Sequence, residues 1–95
     1  TKAAVIGFTQ SVAAKYAPEN IRANVIAPAL VETQMARRAA GDSAILEFVS
    51  AKQPLDGGRI SQPTDLDATV LYLLTDASKL VTGQVLAVDG GWSVS

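Results

Sequence analysis

The chain has 95 residues, 48% of them apolar and 18% charged, and its 8 Lys and Arg nearly balance its 9 Asp and Glu for a net charge of −1. A chain this short buries only about 60% of the surface its unfolded form exposes, so the apolar excess suits the inside of a larger α/β protein better than a free-standing small domain. Without Cys or His, neither a disulfide framework nor a thiolate or imidazole zinc site can compensate for a small core, and no metal is expected. The scattered charges give no clustered positive field of the kind a phosphate backbone requires, which argues against nucleic acid as a partner. Apolar runs such as Val70 to Leu74 and Val85 to Val88 are far below the roughly 20 residues that cross a bilayer, so no membrane association is expected and the cytoplasm is the default compartment.

From Lys2 to Ala17 the apolar side chains Val5, Phe8, Val12 and Tyr16 recur at helical spacing, and Ala3, Gly7, Ser11 and Ala14 form a second face of small residues. The first face is expected to meet a core and the second to admit a close helix. The pattern is already running by Ala3, with Thr1 rather than Met in first place, and the expectation is a chain cut inside a longer protein. Pro18 and Asn20 end the helix. Ile21 to Ala27 reads as a short buried strand stopped by Pro28, which removes a ladder donor. Val31 to Ala40 suits a short helix broken at Gly41, Asp42 and Ser43, after which Ile45, Phe48, Val49 and Lys52 resume helical spacing. Gln53 to Gln62, with Pro54 and the turn at Asp56, Gly57 and Gly58, is loop by composition.

Pro63 suits the first turn of another helix, Asp65 and Asp67 favour its positive end, and Leu66, Val70, Leu73 and Leu74 form the stripe expected to be buried. That helix should end near Asp76. Val81, Thr82 and Gly83 lead into Gln84 to Asp89, an apolar run of strand length closed by Gly90 and Gly91. A strand, a crossover containing a helix and a second apolar strand form a right-handed parallel unit with both faces covered. Two strands are not a whole sheet. The fold class expected is therefore α/β, with residues 1–95 as the C-terminal part of a doubly wound parallel sheet.

Four ordered motifs now carry a resemblance: Thr1-Lys2-Ala3-Ala4; Ile21-Arg22-Ala23-Asn24-Val25-Ile26-Ala27-Pro28; Val31 to Thr33; and Thr82-Gly83-Gln84 running to Val88-Asp89-Gly90-Gly91. Together they resemble the short-chain dehydrogenase/reductase family along the full chain, and four motifs in order at family-like spacing say far more than a lone glycine pattern. The resemblance implies a Rossmann-like domain, of which 1–95 would be the C-terminal portion with a lid segment at about 32–62. It also implies an oxidoreductase that moves a hydride between NAD or NADP and a carbonyl or secondary alcohol.

In the family a tyrosine and a lysine four positions apart share one helix face. Lys2 matches the lysine, and the tyrosine would stand three residues before Thr1. The resemblance gives Lys2 two tasks: its charge lowers the tyrosine pKa from about 10, and its ammonium holds the cofactor ribose hydroxyls. Lys2 is thus the catalytic and cofactor-binding candidate; read alone, it would be a solvated lysine on a first helical turn. The loop from Pro28 to Thr33 lies beyond the C-terminal end of a strand, where open α/β sheets bind ligands. By resemblance Pro28, Val31 and Thr33 are cofactor-binding, the Val31 backbone meeting the nicotinamide carboxamide and the Thr33 hydroxyl bonding to the carboxamide or a phosphate oxygen. Read alone, Thr33 would be a helix N-cap. Ala29 departs from the glycine usual after this proline, which matters only if the backbone there needs a positive φ.

Substrate preference would be written between Gln34 and Lys52, where Met35, Ile45, Phe48 and Val49 serve equally well as pocket or as core. Arg22 and Asn24 are read as satisfying backbone groups, and Asp89, Gly90 and Gly91 as a structural turn. An N-terminal threonine can act as a nucleophile toward amides, but the helix begins at once where such enzymes need a strand. The family resemblance further implies a small-molecule alcohol or ketone substrate and a homodimer or homotetramer built on the helix after Lys2, the helix near Pro63 and the last strand. The alternative from another class is a non-catalytic interaction module. The isolated 95 residues, without tyrosine or serine, are expected to be inactive.

Overall fold

A computed structural model describes residues 1–32 and 41–95. Among the described residues there are five regular elements, with short 3-10 turns between several of them: α1 (Lys2–Tyr16), β1 (Val25–Pro28), α2 (Ser43–Lys52), α3 (Asp67–Leu74) and β2 (Val85–Val88). The two strands pair with each other. Gly83 donates to the Ala23 carbonyl and Val25 to the Gln84 carbonyl, at 2.8 Å each, so residue numbers rise together and the pairing is parallel. The chain divides into two compact units, Thr1–Ala27 with Ala68–Leu86 and Pro28–Asp67 with Ala87–Ser95.

In the first unit α1 starts where the Thr1 hydroxyl accepts the Ala4 amide at 3.2 Å. It ends in a 3-10 turn at Ala17–Glu19 that contains Pro18, after which Asn20 takes a left-handed conformation, φ 61°, and Ile21 donates back to the Tyr16 carbonyl. Asn tolerates that conformation better than most residues. The inward side of α1 overlaps the expected one only in part: Val12 and Tyr16 are half-buried as expected, and so are Ile6 and Thr9, with Ala13 buried, whereas Phe8 is 72% exposed and Val5 is exposed too. Periodicity picks out an apolar face, but the side this chain covers most deeply is the one where Ala13 is small enough to approach Gly83. A Cβ on Gly83, whose φ is 69°, would stand 3.6 Å from the Ala13 Cβ.

The strand expected from Ile21 begins only at Val25. Before that point side chains replace the ladder: Ala23 donates to the Thr82 hydroxyl, while Asn24 donates to the Val81 carbonyl and accepts from the Gln84 amide. Arg22 reaches furthest. Its Nη1 donates to Ser78 Oγ at 3.0 Å and the Val81 carbonyl at 3.2 Å, and its Nη2 to the carbonyls of Leu73 at 2.8 Å and Thr75 at 3.4 Å. Those last acceptors lie at the end of α3, where a cation satisfies orphan carbonyls and complements the helix dipole. The reading of Arg22 and Asn24 as partners of backbone groups is what the structure shows. On α3 the expected buried stripe is half met: Leu66 and Leu73 are half-buried, but Val70 is exposed and Leu74 is 76% exposed.

In the second unit the Asp42 carboxylate caps α2 by accepting from the amides of Ala44 and Ile45. Val49 is its buried apolar residue. Phe48, largely exposed, meets the Trp92 ring edge to face with centroids 5.8 Å apart. The helix expected over Val31 to Ala40 does not include Val31, which forms a parallel bridge with Ser61, or Glu32, which is irregular; residues 33–40 lie outside the described residues. Gln53 to Gln62 is not all irregular, since a 3-10 turn occupies Leu55–Gly58. Pro63 opens a second 3-10 turn, Pro63–Leu66, that runs straight into α3.

Replacing Arg22 by Met keeps the stem and removes every one of these donors, leaving the carbonyls of Leu73, Thr75 and Val81 without their guanidinium. Chemical denaturation of the full-length protein that contains this chain should show a loss of about 2–4 kcal/mol. Arg22→Lys should recover less than half of it, because an ammonium cannot span acceptors on two segments. A loss below about 0.5 kcal/mol would mean that water replaces the guanidinium at no cost.

Candidate functional site

Lys2 occupies the first turn of α1 with its side chain exposed. A cation is electrostatically misplaced there, since the positive end of the helix dipole disfavours it. Stability therefore gives no reason for a lysine at this position.

Pro28 is the last residue of β1 and is exposed; it has no amide hydrogen to give to a ladder. Ala29 and the two residues after it do not take positive φ, for among the described non-glycine residues only Asn20 and Asp56 do. The alanine is thus unstrained, and the departure from the family's glycine leaves the backbone path intact.

Beyond Ala29 the chain forms a second, one-residue pairing. Ser61 donates to the Leu30 carbonyl at 3.1 Å and accepts from the Glu32 amide at 2.7 Å, with Val31 at the centre of the bridge. In a parallel bridge the central residue turns its own N–H and C=O to the opposite edge. Val31 therefore offers one donor and one acceptor side by side, and neither has a partner among the described residues. A primary carboxamide, with its own adjacent donor and acceptor, is the complement of that edge.

Ser61 is held in place by charge. Arg59 donates from Nη1 and Nη2 to the two carboxylate oxygens of Asp65, at 2.7 and 2.9 Å, and from Nε to Asp56 at 2.6 Å. The Asp65 carboxylate also accepts the Gln62 amide at 2.7 Å. The bidentate pair closes a ring around Ser61. Hydrogen bonds from Arg59, then from the Gln62 amide, hold the Asp65 carboxyl down to about 2, and the two aspartates raise Arg59 above its ordinary value. Gln62 Nε2 also donates to the Glu32 carboxylate, tying the two bridged segments together a second time.

Thr33, the remaining cofactor-binding candidate, lies outside the described residues, as does Met35. Asp89 has the structural role expected of it. Burial works against its charge, but the amides of Gly91 and Ser93 donate to it and with the Ser93 hydroxyl outweigh that effect, so its carboxyl stays below the usual range. Among the described residues no group of three or more Asp or Glu could hold a metal ion, and no helix is long and apolar enough to cross a membrane.

A family model described as enoyl-(acyl carrier protein) reductase matches residues 1–93. A solved short-chain type dehydrogenase/reductase from Mycobacterium ulcerans superposes with a TM-score of 0.88 at 31% identity, covering 96% of this chain and 32% of that one. The chain belongs to the short-chain dehydrogenase/reductase family. Among the curated members of the family, a tropinone reductase homolog of Arabidopsis thaliana is 38% identical over 95 residues, which is all of this chain and 29% of that protein. A 4-hydroxyisoleucine dehydrogenase solved in complex with NADH has a TM-score of 0.91 at 29% identity, covering 99% of this chain and 38% of that one. The chain thus spans about a third of the length of the family members it matches, and its α/β fold is that of one end of their parallel sheet.

The family motif names Val31 but not the charged pair that flanks its bridge partner Ser61, Arg59 and Asp65. For Arg59 and Asp65 a signal existed, an arginine followed six residues later by an aspartate across a turn. In the unfolded chain Asp65 titrates near 3.8, against about 2 in the folded state. Between those values the unfolded chain holds the proton and the folded one does not, so the stabilisation is complete above about pH 4 and drains away as the pH falls toward 2. In Asp65→Asn that part of the acid limb should vanish from a plot of thermal midpoint against pH. An unchanged acid limb would mean that the Arg59 pair does not hold the turn.

Proposed function

We propose that residues 1–95 form the C-terminal portion of a single Rossmann-like domain in an NAD- or NADP-dependent oxidoreductase acting on a small alcohol or ketone. The observation that carries this reading is the unpartnered N–H and C=O of Val31, displayed past the C-terminal end of β1, where open α/β sheets take their ligands. The family's solved 4-hydroxyisoleucine dehydrogenase, which holds NADH, supports the choice of cofactor.

When bound, the nicotinamide ring gives or takes the hydride. The work of this chain's own residues is binding and orientation. Val31 would fix the carboxamide and with it the ring face offered to substrate, since reaction requires the two carbons to be held within near-attack distance. Pro28 stiffens the approach to that edge by locking φ, and Thr33 would add a hydroxyl donor. Lys2 has three donors on a flexible stem, suited to ribose hydroxyls. Its charge would favour the ionised form of a tyrosine one helical turn earlier and so ready that group to exchange a proton with the substrate oxygen. The reading includes a homodimer or homotetramer, to which the exposed Val5 and Phe8 of α1 and Leu71 and Leu74 of α3 would bring apolar surface.

The test is to express the full-length reading frame and follow the absorbance of reduced NAD and NADP against a panel of ketones and secondary alcohols. Turnover with one of the two is expected, and Lys2→Ala should lower kcat/KM about 10²- to 10⁴-fold, the range for losing a positioned acid-base element. Folded protein that turns over with neither cofactor would favour a non-catalytic interaction module.

A further inference from the structure

Gln53 and Ser78 are the two most deeply buried polar side chains among the described residues, each 1% exposed; Ser78 serves Arg22, while Gln53 stands directly beyond α2 in a stretch that composition marks as loop. Burying a carboxamide is unfavourable unless its groups are bonded, and here they are all engaged. Oε1 accepts the Leu30 amide at 3.2 Å, while Nε2 donates to the Leu30 carbonyl at 3.3 Å and to the Arg59 carbonyl at 3.1 Å. The backbone behind it leaves no slack. A Cβ on Gly90, where φ is 62°, would stand 3.0 Å from the Gln53 Cβ, and the Gly90 carbonyl accepts the Leu55 amide.

Leu30 is the residue before Val31. In an extended chain the N–H and C=O of successive residues point to opposite edges. Gln53 therefore grips one edge with a primary carboxamide, and the edge it leaves open at Val31 has the same donor-acceptor pattern. Without that grip the Leu30 carbonyl keeps its bond from Ser61, but the Leu30 amide loses its partner, and the segment is free to rotate about its bridge. An apolar residue would fill the same space but leave the Leu30 amide and the Arg59 carbonyl without this partner; the carboxamide satisfies both and so fixes the orientation of the segment.

We propose that Gln53 is a positioning residue for the nicotinamide end of the cofactor, acting through Leu30 on the edge that Val31 presents. The inference rests on the reading of Val31 as the carboxamide partner. Two ligands separate this role from a general structural one: reduced dinucleotide, and the matching adenosine diphosphate ribose, which lacks the nicotinamide.

In the full-length enzyme Gln53→Leu should weaken binding of the reduced dinucleotide about tenfold, the worth of one displaced hydrogen-bonded pair, and leave adenosine diphosphate ribose within about twofold of the parent. Gln53→Glu is the second variant and decides alone if the first does not fold. Its carboxylate lacks the donor that the Leu30 and Arg59 carbonyls need, and protonation restores one. Relative to the parent, its defect toward the reduced dinucleotide should shrink as the pH is lowered from about 8 to about 5.5, since burial raises a carboxyl pKa. Equal weakening of both ligands, or no weakening of either, would overturn the proposal. Failure of the underlying reading looks different: the unmodified enzyme would then bind the reduced dinucleotide no more tightly than adenosine diphosphate ribose.

Discussion

Pro28 has no amide hydrogen to donate, so the chain leaving β1 must find its hydrogen bonds outside the sheet. It finds them at two places in the second unit: Ser61 bonds on either side of Val31, and Gln53 takes the amide and carbonyl of Leu30. The exposed edge of Val31 follows from these two attachments. A segment satisfied only by water would present the same atoms in many orientations, whereas one satisfied on a single edge presents the other edge in one. The candidate site is in this sense made by the hydrogen bonds of the residues beside it.

The same principle holds within each of the two units. The buried apolar residues among those described are small in number and size, Ala13 and Val49, while Phe8, Leu74 and Leu80 are largely exposed. Hydrophobic burial of this extent fixes little geometry. Polar side chains with distant partners supply it: Arg22 on the end of α3, Asn24 between Val81 and Gln84, and Gln53 between Leu30 and Arg59. Each joins segments far apart in sequence, and no buried side-chain N or O among the described residues lacks a partner. Fully satisfied networks of this kind specify an arrangement more sharply than apolar contact does.

That division explains what could be read from the sequence. Elements with local causes were legible: α1 between Thr1 and Pro18, α2 after Asp42, α3 after Pro63, and β2 between Gln84 and Asp89 all follow from spacing and from capping or turn residues. What depends on distant partners was not. The start of β1 moved from Ile21 to Val25 because Thr82 and Val81 supply side-chain and carbonyl partners some 57 to 59 residues away. The covered side of α1 is legible only in part: Val12 and Tyr16 are half-buried as expected, whereas Val5 and Phe8 are exposed because the approach to Gly83 selects Ala13. Lys2, Pro28 and Val31 came from motif matching, which names positions without giving a reason for their geometry. Gln53 had no local signal at all, since a glutamine before a proline in a loop is ordinarily a solvated one.

Ala29 sharpens this point. A glycine after the proline would suggest that the chain turns there by a conformation other residues avoid, and that cofactor geometry is written in that freedom. The backbone at Ala29 takes no such conformation, so the turn out of the sheet must be set by what holds the residues downstream. Those holds are the Arg59 ring that fixes Ser61 and the carboxamide of Gln53 on Leu30. A glycine in place of Ala29 would leave both in position and add only unfolded-state entropy. The geometry of the Val31 edge is thus carried by side chains some twenty to thirty-five residues further along the chain, and a change at Gln53 acts on it more directly than a change at the proline turn.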